Sequence, residues 1–470
     1  MTDYSKKWLR FIIVATGVFM STLDSSMVNI ALPFIMKDFQ SPMATTGWVV
    51  LIYLLTITST LLFWGHLANK YGRSMIYGIG MLIFGIASWA CALSTSLASL
   101  IVFRCLQAQG ASMMMAIGPA IVKESFPPEQ LGRALGLIGV AVSLGLMSGP
   151  SLGGIFIEYF SWRALFYITV PVGILFAILA RRMLPANHSH AADETIDWIG
   201  AITLAGSLCA FTYTMTRTAE RGLTPVTLSL LLVLAAVLLL IFIRTEHRSA
   251  NPVLPLYLFK DRFFSFGILS AVLSFTTLFT AIMLIPFYLD RLLELPPVKI
   301  GLVMMIIPAS IMIVAPFSGW LSDKVERRFV ASAGLLIGSC AMASLTGITA
   351  ESGWLDISWK LALLGGGQAM FLSPNSAAVL SGTNGRFTGT AAALLATSRN
   401  LGMLLGVALA TLVFTVVFGK LTGGLDMKDS SALHRAEFIT AIRSAFVMAA
   451  TIGTAGMIFS FCRGRKTVEK

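Results

Sequence analysis

Charge is what this sequence has least of. Only 12% of its 470 residues are Asp, Glu, Lys or Arg, about half the share of an ordinary soluble domain. With 56% hydrophobic residues and a mean hydropathy of +0.82, that scarcity excludes a soluble globular protein and a disordered chain. Cysteine is scarce too. Cys91, Cys105, Cys209, Cys340 and Cys462 lie in or beside apolar stretches, and no two form a C-x-x-C pair. They read as small packing residues, neither a disulfide framework nor a zinc site. The motifs of nucleotide hydrolysis (G-x-x-x-x-G-K-[ST]) and zinc proteolysis (H-E-x-x-H) are missing. One G-x-S-x-G match, Gly149 to Gly153, lies within an apolar stretch, with no strand before it and no histidine in any such stretch. It is not a nucleophile elbow.

What is present is a series of fourteen apolar segments. They run roughly over 11–31, 47–64, 75–95, 97–122, 134–157, 164–180, 198–216, 226–243, 264–288, 300–320, 330–349, 358–380, 390–417 and 439–461. Each is long enough for one helical pass, and none alternates as a barrel strand does. The fold class is an all-α polytopic membrane protein with fourteen transmembrane helices. The net charge of +12 then reports topology. With the N-terminus inside, cytoplasmic segments hold 21 Lys/Arg against 11 on the external side, counting Lys360 and Arg443 at the outer ends of their segments, while acidic residues divide almost evenly. That bias places both termini in the cytoplasm. Lys6, Lys7 and Arg10 flank the first span; they do not mark a cleaved signal. No basic stretch is interleaved with aromatics outside the spans, so nucleic acid is not an expected partner.

The loops are short. His188 and His190 in 181–197 have no further ligand at useful spacing, so that stretch reads as a solvated linker, and no cofactor or metal is expected. The external 418–438 stretch has a second half patterned as a short interfacial helix, a contact open to a periplasmic adaptor.

Within the fourteen segments one acidic residue stands out, Asp24. A charge at mid-bilayer costs about 2.5–3.5 kcal/mol on insertion scales, so it calls for a partner, a cavity or a proton. Asp24 lies 14 residues after Arg10, about 21 Å into the membrane and about 9 Å from the outer edge. Arg104 lies 7 residues into the fourth segment from the other direction, about 10 Å from the same edge. The two charges share a depth, and the expectation is one polar site holding both, as a proton-coupling pair or a static ion pair. Ser25 and Asn29 beside Asp24 are candidates to line a cavity. Arg399 is alone in the thirteenth segment, about 12 Å from the inner edge. Gly145, Gly149 and Gly153, with Pro150 between them, and again Gly402 and Gly406, repeat every four residues, a spacing that lets helices approach closely.

Several motifs carry a resemblance. Gly65 through Arg73, with Asn69, Lys70 and Gly72, resembles the signature loop of the major facilitator superfamily. A degenerate copy at Gly319 through Arg328 includes Asp323. Two copies in corresponding places indicate an internal repeat. Leu23 to Pro33, Arg104 to Gly110 (with Gln107, and Ala108 in place of a glycine) and Gly145 to Gly154 resemble first-, fourth- and fifth-helix motifs of the fourteen-helix drug/proton antiporters. Asn69 stands where that family usually has Asp, which removes one ion pair from the expected charge network between bundles.

The resemblance implies two six-helix bundles plus two inserted helices: 1–184 as the N-terminal bundle, 185–263 as linker and insert, 264–470 as the C-terminal bundle. In the twelfth segment, Gly365 through Pro374 echoes Gly110 through Pro119 at the same spacing, which makes Gln368 and Asn375 candidate cavity polars. The implied function is proton-coupled export of small amphipathic or hydrophobic compounds from a bacterial cytoplasmic membrane, by alternating access. Asp24 and Arg104 would couple protons; Gly65–Arg73, Gly145–Gly153 and Asp323 would gate; and Ser25, Asn29, Gln107, Gln368, Asn375 and Arg399 would line the substrate cavity. Export of a specific metabolite (amino acid, peptide or siderophore) is the near alternative. A lipid-modifying membrane enzyme is the alternative of another class.

Overall fold

The computed structural model describes residues 3–184, 198–219, 224–248, 256–381, 388–427 and 434–464. His188, His190 and most of the polar linker lie outside the described residues, as does 428–433 in the external segment. Residues 435–438, at the end of that segment, form the first turn of a long helix.

Fourteen long helices and one short one are present among the described residues: α1 (Asp3–Asp38), α2 (Met43–Tyr71), α3 (Arg73–Ala92), α4 (Leu97–Ser125), α5 (Pro128–Tyr159), α6 (Ala164–Tyr167), α7 (Thr169–Met183), α8 (Trp198–Ala219), α9 (Pro225–Arg248), α10 (Arg262–Arg291), α11 (Pro297–Lys324), α12 (Arg327–Leu345), α13 (Trp354–Ser381), α14 (Thr388–Leu421) and α15 (Arg435–Cys462). The sixth apolar segment is the short α6 running into α7. Thirteen spans are long and apolar enough to cross a membrane. The fourteenth long helix, α13, is diluted by Asp356, Lys360, Gln368, Asn375 and three consecutive glycines. Helices also outrun the apolar segments that announce them. α2 continues through Tyr71, because a helix satisfies its own backbone in lipid and in water alike.

The chain divides into two compact units. One holds Met1–Ile35, Trp48–Ala210 and Val233–Val253; the other holds Met36–Gly47, Phe211–Leu232 and Leu254–Lys470. The division passes through α8 and α9 themselves. α9 has the highest mean hydropathy, 3.2, with 11% of its span buried. Its exposed Val226, Leu230, Val233 and Leu240 are a surface for lipid tails. α10 is the opposite case: 83% of its span is buried, as the central helix of the second unit, packed against α14 and α15.

The two units are built on the same glycine crossings. In the first, a methyl group on Gly110 of α4 would strike the Gly80 carbonyl and Phe84 nitrogen of α3. In the second, a methyl group on Gly367 of α13 would strike the Gly334 carbonyl and Gly338 nitrogen of α12. Gly145 of α5 sits on the Phe19 carbonyl of α1, and Gly402 of α14 sits on the Val272 carbonyl of α10. These contacts fix the register of the repeat. Gly110 corresponds to Gly367, not to the Gly365 that equal glycine–proline spacing selects in the sequence; the proline lies two residues apart in the two copies, and backbone approach decides the register. Gly365 corresponds to Ala108. Counting along the same helices, Arg104 and Gln107 correspond to Leu361 and Leu364, and Asp24 to Thr277.

Candidate functional site

The site is built on α1 and α4 of the first unit. Asp24 and Arg104 are each 1% exposed. Arg104 Nη1 donates to Asp24 Oδ2 at 2.5 Å and to Gln107 Oε1 at 2.6 Å, and its Nε donates to the Val49 carbonyl at 3.1 Å. The guanidinium carbon lies 4.2 Å from the Tyr53 ring centroid and 5.7 Å from that of Phe166, so aromatic faces cover the cation. Gln107 Nε2 donates to Asp24 Oδ1 at 2.9 Å and to Ser88 Oγ at 2.7 Å. Both carboxylate oxygens are therefore held, one by a cation and one by an amide.

The matched depths of Asp24 and Arg104 thus correspond to a direct ion pair. Gln107 belongs to that pair, fully buried. The sequence reading missed Ser88 and Cys91 of α3, which orient the Gln107 amide from behind; Cys91 Sγ lies 3.9 Å from its Oε1. It also missed Tyr53, whose hydroxyl donates to the Ser21 carbonyl at 3.2 Å. A Tyr nearly three turns into the apolar α2 was the available signal. Buried ion pairs of this kind are intolerant of losing one member, at about 3–5 kcal/mol.

The glycine stripe of α5 bears on the helix that carries the carboxylate. Gly145 packs on Phe19, Thr22 and Leu23, Gly149 on Ser26 and Met27, and Gly153 on Met27. Ser26 Oγ donates to the Gly145 carbonyl at 3.3 Å. Pro150 is buried within the same helix. On the other side of the turn, Asn29 Nδ2 donates to the Ser25 carbonyl at 2.7 Å, while Asn29 Oδ1 is buried without a partner.

The remaining candidates fall elsewhere. The Gly65–Arg73 stretch is mostly helix. Gly65, Asn69 and Lys70 lie in α2, and only Gly72 interrupts, at φ 99°, a conformation that costs any other residue. The Asn69 side chain is outside the described set. Arg73 opens α3 and pairs with Glu124 at the end of α4. In the second unit the corresponding Arg327 meets Ser381 Oγ at 2.8 Å and the Ala377 carbonyl at 3.1 Å; Asp323 is exposed near the end of α11. Gln368 accepts from Ser274 Oγ at 2.7 Å. With Thr277 and Ser339 it lines a cavity of about 10 Å³ inside the second unit, room for one water-sized sphere. Asn375 is a bracket: it donates to the Gly267 carbonyl at 3.1 Å and accepts from Arg463 Nη1 at 2.9 Å. Burial, with Arg327 and Arg328 nearby, pushes the Arg463 guanidinium down to about 10. Arg399 Nη2 donates to Ser376 Oγ at 2.8 Å.

A family model, that of the Major Facilitator Superfamily, matches residues 14–407. The chain belongs to the major facilitator superfamily. It is 33% identical over 462 residues to the riboflavin transporter RibZ of Clostridioides difficile (strain 630), with 98% of each chain covered. It is 26% identical over 403 residues to the tetracenomycin C resistance and export protein of Streptomyces glaucescens, covering 86% of this chain and 75% of that one. Among solved structures it is similar to a bacterial homolog of the human lysosomal transporter Spinster, inward-facing and unoccupied. The TM-score is 0.72 at 15% identity, with 97% of each chain covered, a likeness of fold. Major facilitator proteins are transporters, and the enzyme alternative falls away. This chain is a multi-pass membrane transporter of small molecules.

Proposed function

We propose that this major facilitator protein exports a small amphipathic or hydrophobic compound in exchange for protons, by alternating access. The observation that carries the reading is the ion pair at Asp24 and Arg104: a carboxylate 1% exposed, far from either end of the first span, and held on both oxygens. A carboxylate kept in low dielectric is the group that an intramembrane proton site requires. Arg104 has acceptors other than Asp24, namely Gln107 Oε1 and the Val49 carbonyl. Those two acceptors keep it hydrogen-bonded when Asp24 takes a proton, but the counter-charge is lost, so protonation weakens the hold of α4 on α1 and leaves a state that is driven to rearrange. The glycines of α5 give α1 a smooth surface on which to shift. The name of the Streptomyces relative, a resistance and export protein, supports the outward direction. The basic bias of one set of loops supports a cytoplasmic membrane with both termini inside.

A second reading has its own observation. The riboflavin transporter is similar over the full length, which supports a single metabolite as cargo in place of a range of drugs.

The test is proton movement in inverted vesicles, wild type against Asp24→Asn, across lipophilic cations, neutral drugs and metabolites including riboflavin. The expected result is collapse of a pre-formed pH gradient by the cargo in the wild type and not in the variant. Cargo movement that is insensitive to the pH gradient in both proteins would overturn proton coupling.

A further inference from the structure

The two units share a framework and differ in where they keep charge. The first unit holds Asp24, Arg104 and Gln107 where the second has Thr277, Leu361 and Leu364. The second holds Arg399 on α14 and Ser376 on α13. Counting from the Gly145–Gly402 and Gly110–Gly367 correspondences, the first unit has Val142 and Pro119 in those places. The repeat is therefore built at this register without any charge, and framework needs do not account for Arg399.

Arg399 is also supplied with far fewer partners than Arg104. Arg104 has a carboxylate, an amide oxygen, a backbone carbonyl and two aromatic faces. Arg399 has one hydrogen bond, to Ser376 Oγ. Its Nε is buried with no partner, and no carboxylate pairs with it among the described residues. It lies 8 residues into the span Ala391–Leu421, about 12 Å along the helix. A guanidinium carries five N–H donors in a fixed fork and no acceptor. At that depth an uncompensated cation is costly to keep, and the species that would satisfy it carries acceptor oxygens and negative charge.

We propose that Arg399, presented by Ser376, recognises an anionic or oxygen-rich group on the transported solute. The assignment rests on the transporter reading of the chain and not on proton coupling. It also sets a sign. Arg399 brings one positive charge to this place in the second unit, with no carboxylate beside it among the described residues. Solutes with a carboxylate, a phosphate or paired imide oxygens are favoured, and permanent cations are disfavoured.

The experiment is equilibrium binding to the purified full chain in phosphatidylcholine nanodiscs at fixed pH, with no gradient. Fluorescein serves as the anionic probe, riboflavin as the neutral oxygen-rich probe and ethidium as the cation, each read by fluorescence anisotropy. Arg399→Gln should weaken fluorescein about ten-fold, the loss of one charge-assisted contact, and leave ethidium unchanged. Arg399→Lys should retain part of the fluorescein binding. Should the Gln variant misfold, Ser376→Ala removes the contact that presents the guanidinium and keeps its charge; fluorescein should weaken by a smaller factor than in Arg399→Gln with ethidium unchanged, and unaltered fluorescein binding would count against the assignment. Equal weakening of all three probes, no change in any, preference for ethidium in the wild type, or no binding of fluorescein and riboflavin would each overturn the assignment. Repeating the titration in phosphatidylglycerol nanodiscs separates the other source of the same chemistry: if the anionic lipid displaces fluorescein from the wild type through Arg399, a headgroup is the occupant and the solute assignment is wrong.

Discussion

One nitrogen of Arg104 lies 2.5 Å from Asp24 Oδ2 and 2.6 Å from Gln107 Oε1. The amide it meets turns its own nitrogen back to the other oxygen of the same carboxylate. The three side chains form a closed ring of donors and acceptors, and each member fixes the other two.

Removing one charge from this ring is expected to cost more than removing both. Asp24→Asn leaves Arg104 buried and uncompensated, a loss of about 3–5 kcal/mol. Asp24→Asn combined with Arg104→Gln should recover much of that loss. Thermal unfolding of the two variants in one detergent checks it; a double variant less stable than Asp24→Asn would show that the pair is not what the stability loss reports.

Gln107→Leu tests the amide. Leu364 occupies the corresponding place in the second unit, so the side chain fits the framework. The expected loss is about 1.5–3 kcal/mol for a hydrogen bond to a charged group, with Ser88 losing the amide that donates to it. Ser88→Ala should cost less, because its acceptor role is to a neutral donor. Unfolding midpoints of the two variants measure the order; Ser88→Ala as damaging as Gln107→Leu would contradict it.

Gly149→Ala places a methyl group against Ser26 Oγ and Cβ. Overpacking of this kind costs about 1–3 kcal/mol and separates α5 from α1. Adding Ser26→Gly should restore part of the stability and of the transport rate. Gly65→Ala is the contrast: a Cβ there meets nothing within 4 Å, and stability should change by no more than a few tenths of a kcal/mol. Stability and transport assays of the three variants decide the matter.

The turn between α2 and α3 separates backbone from charge. Gly72→Ala forces φ 99° on an L-residue, at about 1–2 kcal/mol. Arg73→Ala breaks a half-exposed pair with Glu124, worth about 0–1 kcal/mol. The expected order in thermal unfolding is Gly72→Ala the more damaging; the reverse would mean that the Arg73–Glu124 pair, not the turn, secures this end of the unit.

The sequence showed the pairing of Asp24 with Arg104 because depth in a membrane can be counted along a helix. It could not show which side of α4 Gln107 takes, since a polar residue three positions from an arginine serves a cavity or a partner equally well. Ser88 and Cys91 were hidden for the same reason: small residues in α3 look like packing until Gln107 turns toward them. Helix ends were misread at α2, where polar residues through Tyr71 continue a helix that hydropathy alone ends at 64. The repeat was visible from its motifs, but its register was not, because glycine contacts across helices, and not spacing along one, determine it.

Asp24 and Arg104 are both 1% exposed, with Tyr53 and Phe166 laid over the guanidinium. Under the proton-coupled reading proposed above, a proton would reach that carboxylate only when helices move, and an idle carrier of this design would not leak: in the absence of cargo to drive the motion, the gradient across the membrane would be conserved for the rest of the cell.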